Sequence, residues 1–160
     1  MSDFRIGFGN DLHRLVKKRK LILGGAEIPF KYGEYAHSDG DVLIHAIIDA
    51  LFGACGKGDI GTHFPPDNPE FKDISSRILL KESLKIIKNA GYTLINIDCT
   101  INLQKPRLGP YIDGIIGNLK ADLGLDSDCI SIKAKTGEGI GHVGRSKAVE
   151  AYAVVLIRKI

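Results

Sequence analysis

Cysteine is scarce in this sequence. Cys55, Cys99 and Cys129 are far apart, odd in number and set among apolar residues, which excludes a disulfide framework and reads as reduced thiols in a cytosol-like compartment. No Cys-x-x-Cys is present to hold zinc. Long apolar runs are lacking too. Nothing approaches the ~18 residues a membrane-spanning helix needs, and the first residues run almost directly into a strand-like segment without an apolar signal region. Nor does one sign of charge dominate: 22 Lys and Arg face 19 Asp and Glu, a net charge of +3. That is not the one-sided excess of a dedicated nucleic-acid binder, but it suits an anionic substrate. Neither membrane nor nucleic acid is therefore an expected partner. What the chain does have is apolar bulk, 44% over 160 residues, enough for a core in one domain covering residues 1–160.

Residues able to do chemistry gather between Ala36 and Cys55, AHSDGDVLIHAIIDALFGAC. Val42, Ile44, His45, Ile48, Asp49 and Phe52 recur at three- and four-residue spacing among residues that are also mostly apolar, which predicts a helix covered on nearly all sides. Ser38 followed by Asp41 has the spacing of a capping box, and Asp39 and Asp41 suit the positive end of the helix dipole. His45 lies more than a turn inside this helix. A lone His there is more often a satisfied core residue than a ligand, so a metal reading needs further ligands. Asp11-Leu12-His13 offers them, because residues two apart in extended chain point the same way and bring a carboxylate and an imidazole to one spot.

Elsewhere the pattern predicts strands at 4–9, 94–103, 129–135 and 154–159, with a hairpin of 21–23 and 27–30 turned by Gly24-Gly25. Helices are expected at 75–90, with Ile78, Leu79, Leu84 and Ile87 buried, at 111–123, and as a short piece near 146–151. The cation run 17–20 reads as a solvated hairpin tip, and His63 as a surface residue of an irregular Pro-rich loop. Residues 139–144 match G-x-G-x-x-G, but only 16 residues follow Gly144, too few for the second strand and acid of a dinucleotide fold. The Gly-rich turn, the Thr136 hydroxyl and the Arg145 guanidinium still form a donor set for phosphate. Glu138 would be out of place there unless a hard cation such as magnesium lay between. Strands that alternate in polarity favour an α+β fold, a mixed sheet with helices on one face and a second face open for association.

Asp11-x-His13 after a Gly-rich strand, the block Ala36 to His45, Gly58-Asp59-Ile60-Gly61 with Phe64-Pro65, the Gln104 to Pro106 turn and the stretch Thr136 to Arg145 together resemble the 2-C-methyl-D-erythritol 2,4-cyclodiphosphate synthase family of the non-mevalonate isoprenoid pathway, over essentially the whole chain. The resemblance implies zinc on Asp11, His13 and His45, with a fourth position open to phosphate. It makes His37 and Thr136 the catalytic pair that stabilises the transition state, and sets Asp11, His13, His37 and Ser38 against substrate. Asp59, Ile60, Gly61, Phe64, Pro65, Pro66, Asp67 and Asn68 form a second substrate-binding stretch. Leu103, Gln104, Lys105, Pro106, Arg107, Leu108 and Gly109 correspond to the cytidine loop. Lys135, Thr136, Gly137 and Glu138 correspond to the diphosphate region, with magnesium or manganese on Glu138, and His142 and Arg145 fall on the substrate side. The chain departs from the family's usual residues at Phe8, Asn10, Lys135, Gly137, Gly139 and His142. A homotrimer with sites between subunits is implied, in a bacterial cytoplasm or, after removal of a transit segment, a plastid-type organelle.

The implied reaction is a metal-assisted cyclisation that releases CMP. Its nucleophile is already an anion, so the absence from the sequence pattern of a Ser/His/Asp or Cys/His arrangement is consistent with it. Two other readings are a metal-dependent phosphohydrolase, which lacks an adjacent His-Asp pair here, and a nucleic-acid-binding module resting on residues 17–20.

Overall fold

One long strand and one buried helix position everything that follows. In the computed structural model, which describes residues 3–160, β1 (Phe4–Lys17) pairs antiparallel with β7 (Ala148–Lys159) from Phe4 opposite Arg158 to Arg14 opposite Ala148. β7 also pairs antiparallel with β5 (Tyr92–Asn102), which runs parallel to β6 (Ile130–Lys135), and the far end of β1 pairs with β4 (Tyr32–Glu34). The sheet order is β4-β1-β7-β5-β6, a mixed five-stranded sheet of an α+β fold, and β2 (Leu21–Leu23) and β3 (Ala26–Ile28) form the separate hairpin expected around Gly24-Gly25.

Side chains of one face of β7, Val149, Ala151, Ala153, Val155 and Ile157, are wholly buried. α1 (Val42–Cys55), α3 (Ser76–Asn89) and α4 (Ile112–Leu123) pack with them into one core. α1 lies unusually close to β1, because two strand positions carry no side chain. A Cβ on Gly7 would fall 1.8 Å from the Ala50 carbonyl oxygen, and one on Gly9 would fall 2.1 Å from that of Ala46. The glycines thus set the distance between the strand that bears Asp11 and His13 and the helix that bears His45.

Several expectations change. β1 continues to Lys17 rather than stopping at Gly9, and Asp11 and His13 sit within it, since pairing with β7 holds the strand extended through polar residues that hide its alternation. The short helix expected near 146–151 is instead the start of β7. Helical geometry is confined to one turn, α5 (Gly141–Gly144), and the alternation of buried residues reaches back to Val149. The cap of α1 is Asp41 and not Ser38: the chain turns at Gly40 (φ 86°), and the Asp41 carboxylate accepts from Ile44 N at 3.1 Å as well as from Gly24 N at 3.0 Å and Gly25 N at 2.6 Å. One side chain therefore caps the helix and ties the β2–β3 hairpin to it. In α3, Ile78 is half-exposed while Leu80 is buried.

The 17–20 run is also not a simple solvated tip. Arg19 donates to the carbonyl oxygens of Glu34 at 3.2 Å and Ser38 at 2.8 Å, clamping the loop that leads into α1. His63, in the single turn α2 (Ile60–His63), stacks on Phe52 with ring centroids 4.1 Å apart and reaches the Lys57 carbonyl at 2.9 Å. Among the described residues, no helix is long and apolar enough to cross a membrane.

Candidate active site

Asp11, His13 and His45 meet where β1 crosses α1. The Asp11 Oδ2 atom lies 2.9 Å from His13 Nε2 and 3.1 Å from His45 Nδ1, and one potential ligand atom from each residue falls within 4.8 Å of the others. The imidazoles are held edge to face, with centroids 5.1 Å apart. Burial works to raise the Asp11 carboxyl, but hydrogen bonds from His13 and His45 outweigh it and hold the group well below the usual carboxylate range. Burial lowers His13, and here too the Asp11 contact wins, with help from the Gly40 carbonyl, so that His13 is raised.

The outward partners of the two rings decide which nitrogens face inward. His13 Nδ1 is 2.7 Å from the Gly40 carbonyl oxygen, which can only accept. Nδ1 therefore carries a hydrogen, and Nε2 is the ring nitrogen that faces Asp11. The donor set is one carboxylate and two oriented imidazoles, and it fits a divalent metal.

These ligands open into a cavity of about 290 Å³ whose walls include His37, Ser38, Ile60, Gly61, Phe64, Pro66 and Phe71. Asp49, one turn beyond His45, holds that wall down by accepting from Ile60 N at 2.7 Å, while Asp59 caps α2 through Thr62 N at 2.9 Å. Pro65, Asp67 and Asn68 lie in the same loop, with Asn68 capping the turn that follows. His37 is exposed on the rim, and its carbonyl accepts from Asp73 N.

The other expected site residues form a separate region. Gln104, Lys105, Pro106, Arg107, Thr136 and Glu138, with Phe30, line a second cavity of about 470 Å³ that shares no residue with the first. Its two loops are joined by Gly137 N donating to Gln104 Oε1 at 3.1 Å, and the Thr136 hydroxyl donates to the Glu138 carboxylate. Leu103 and Leu108 are buried core residues, so only their backbone can face a ligand, and Gly109 opens the turn before α4. Lys135 ends β6. His142 and Gly137 line a third depression, and Arg145 a fourth with Lys31, Lys105 and Lys147.

Sequence reasoning missed the surroundings of His45. Its Nε2 atom lies 2.9 Å from the hydroxyl of Ser76, the first residue of α3, and 3.3 Å from that of Ser38. Asp11, His45 and Ser76 thus stand in the order of a catalytic triad, which the sequence pattern did not show. Ser76 is wholly buried, and its hydroxyl hydrogen is directed to Asp39 Oδ1 at 2.5 Å. It is no nucleophile. No periodicity links residues 31 positions apart, and only the packing of α3 on α1 brings them together.

The YgbB family model matches residues 4–158 of this chain. The chain is 49% identical over 160 residues to a Neisseria gonorrhoeae protein named 2-C-methyl-D-erythritol 2,4-cyclodiphosphate synthase, covering 100% of both. Among solved structures, the bifunctional IspDF from Campylobacter jejuni superposes with a TM-score of 0.95 at 36% identity, covering 100% of this chain and 43% of that one. The CDP complex of Plasmodium falciparum IspF superposes at 0.86 with 34% identity, covering 99% of this chain and 98% of the other.

Proposed function

The chain belongs to the YgbB family, and from that membership we propose that it converts 4-diphosphocytidyl-2-C-methyl-D-erythritol 2-phosphate to 2-C-methyl-D-erythritol 2,4-cyclodiphosphate and CMP, as a phosphorus–oxygen lyase of the non-mevalonate isoprenoid pathway. An oxygen of the 2-phosphate attacks the β-phosphorus. The bond from that phosphorus to the α–β bridging oxygen breaks, and its electron pair leaves with CMP. Since the nucleophile is already ionised, the protein must fold the substrate and accommodate gathered negative charge, not generate a nucleophile. The observation that carries this reading is the convergence of Asp11, His13 and His45 beside a cavity, in a chain whose relatives are named for this cyclisation.

Asp11, His13 and His45 would hold zinc with one position open, supplying Lewis-acid polarisation of the β-phosphate. Glu138 would hold magnesium or manganese together with the substrate phosphates. His37, on the rim, and the Thr136 hydroxyl donate to the reacting phosphoryl oxygens as charge develops. Ser38 and the 59–68 loop enclose the methylerythritol part. The 103–109 loop takes the cytidine, the Plasmodium relative's complex with CDP supporting a cytidine nucleotide as the ligand, and Lys135, His142 and Arg145 add donors beside the diphosphate.

The complete site forms between subunits of a homotrimer. Two observations support this. The ligand cavity and the cytidine cavity share no residue, and the outer face of β1 and β7 exposes Ile6, Phe8, Leu12 and Val154, an apolar strip of the kind that marks an association surface. Purified protein incubated with the cytidine-linked substrate should yield CMP and a cyclic diphosphate by ³¹P NMR, and lose both after chelation. Water-derived open-chain phosphates without a cyclic product would instead make it a phosphohydrolase.

A further inference from the structure

We propose that Arg19 is a positioning residue for the cyclisation, acting on the reacting centre through the backbone of His37 and Ser38. The inference rests on the function proposed above and adds a residue with no role in it. Residues 35–41 belong to neither β4 nor α1, so the segment that carries both side chains has no strand or helix ladder of its own to hold it. One guanidinium supplies donors to it. Arg19 Nε lies 3.2 Å from the Glu34 carbonyl oxygen, and Nη2 donates to that of Ser38 at 2.8 Å and, more weakly, to that of Ala36 at 3.4 Å. Nη1 faces the exposed Asp73 carboxylate at 3.8 Å. Asp73 N in turn donates to the His37 carbonyl at 2.9 Å, and Asp39 N to that of Ile74 at 3.1 Å. The 37–39 and 73–74 segments are thus zipped together, and Arg19 bridges the two. An exposed ion pair such as the one to Asp73 adds little energy. What the arginine contributes is a planar fork that meets the carbonyls of residues 34, 36 and 38 at once, which the single ammonium of a lysine does not reproduce. The backbone is shaped to deliver it. Lys18 turns with φ 64°, and bare Gly33 lets that turn lie against β4, since a Cβ there would fall 2.0 Å from the Lys20 carbonyl oxygen and 2.4 Å from that of Arg19.

Arg19→Lys keeps the charge and loses the fork. It should lower kcat roughly 10–100-fold by misplacing His37, with metal content and circular dichroism unchanged. Lys20→Ala, which removes the neighbouring cation paired with Glu27, should match wild type. A double-mutant cycle separates positioning from general weakening. In a His37→Ala background, Arg19→Lys should cost less than about threefold in kcat, because the group it positions is gone. Losses that simply multiply would overturn the assignment. Amide hydrogen exchange reads the clamp without substrate: the Asp39 and Asp73 amides should exchange roughly tenfold faster in Arg19→Lys, while those of α1 and β7 keep their wild-type rates. Wild-type protection at both amides would equally overturn it. Arg19→Gln, which retains one donor group and no charge, should behave as Arg19→Lys does and serves if that variant does not fold. Loss of the fold in both would make Arg19 a structural residue and end the proposal. If wild type releases no CMP from the cytidine-linked substrate, the proposed function fails, and exchange at Asp39 and Asp73 still shows whether Arg19 holds the His37 segment.

Discussion

The proposed metal corner and the proposed cytidine loops are two different kinds of structure, suited to two different problems. The corner is built on a strand and a buried helix, and the outer ring nitrogens of its histidines lie against the Gly40 carbonyl and the Ser76 hydroxyl. The second region is built on the 103–109 and 136–145 loops, where Lys105, Arg107 and Glu138 are exposed and the joining hydrogen bond is a single one from Gly137 N to Gln104. Metal ligation tolerates little displacement, so it needs rigid elements and neighbours that fix each ring. Grip on a long, flexible, anionic substrate instead favours backbone donors and long cationic side chains on loops. On the proposed function neither region is sufficient for the cyclisation, and each should fail in its own way.

His45→Ala should abolish nearly all activity and metal retention while the fold survives, since α1 is held by its apolar residues. Elemental analysis showing full metal occupancy in the folded variant would remove His45 from the ligand set. Thr136→Val should lower turnover roughly tenfold to a thousandfold with little change in KM, and, unlike His45→Ala, should leave metal content untouched. Equal turnover would make Thr136 a structural turn residue. Gly9→Ala attacks the corner indirectly, by pushing α1 off β1. It should cost roughly 1–3 kcal/mol of stability in a denaturant titration and weaken metal binding with it. Stability and affinity equal to wild type would show that the close approach is not needed.

The last effect concerns pH. Burial pushes Asp41 up to about 6 from 3.8, with the backbone donors of Gly25, Ile44 and Gly24 partly offsetting it. The folded protein then holds a proton that the unfolded chain has released, so stability falls as pH rises through this window, by at most about 2–3 kcal/mol. Burial also raises Glu34, which acts in the same direction. Denaturation midpoints should decline more across this range in wild type than in Asp41→Asn, and parallel profiles would refute the assignment.

The fold was legible where periodicity was strong. α1, α3, α4 and the β2–β3 hairpin appear close to their expected bounds, and Asp11, His13 and His45 meet as expected. β1 was underestimated because polar residues interrupt its alternation, and β7 because its Ala-rich start was read as a short helix, whereas pairing with each other, not propensity, keeps both extended. The cap at Asp41, the Arg19 clamp and the Ser76–Asp39 contacts depend on turns and on packing between distant segments, so local spacing carries no trace of them.

The claim that the two regions act together only across a subunit boundary is open to direct test by mixing. His45→Ala subunits should be co-refolded, or co-expressed under two tags, with subunits carrying Thr136→Val and a disrupted 105–109 loop. Mass spectrometry identifies the mixed trimers. Each parent is inactive, but a mixed trimer contains some boundaries at which an intact metal corner meets an intact cytidine region, so CMP release should reappear in it. Verified mixed trimers no more active than either parent would mean that each chain carries its whole site, contradicting the account.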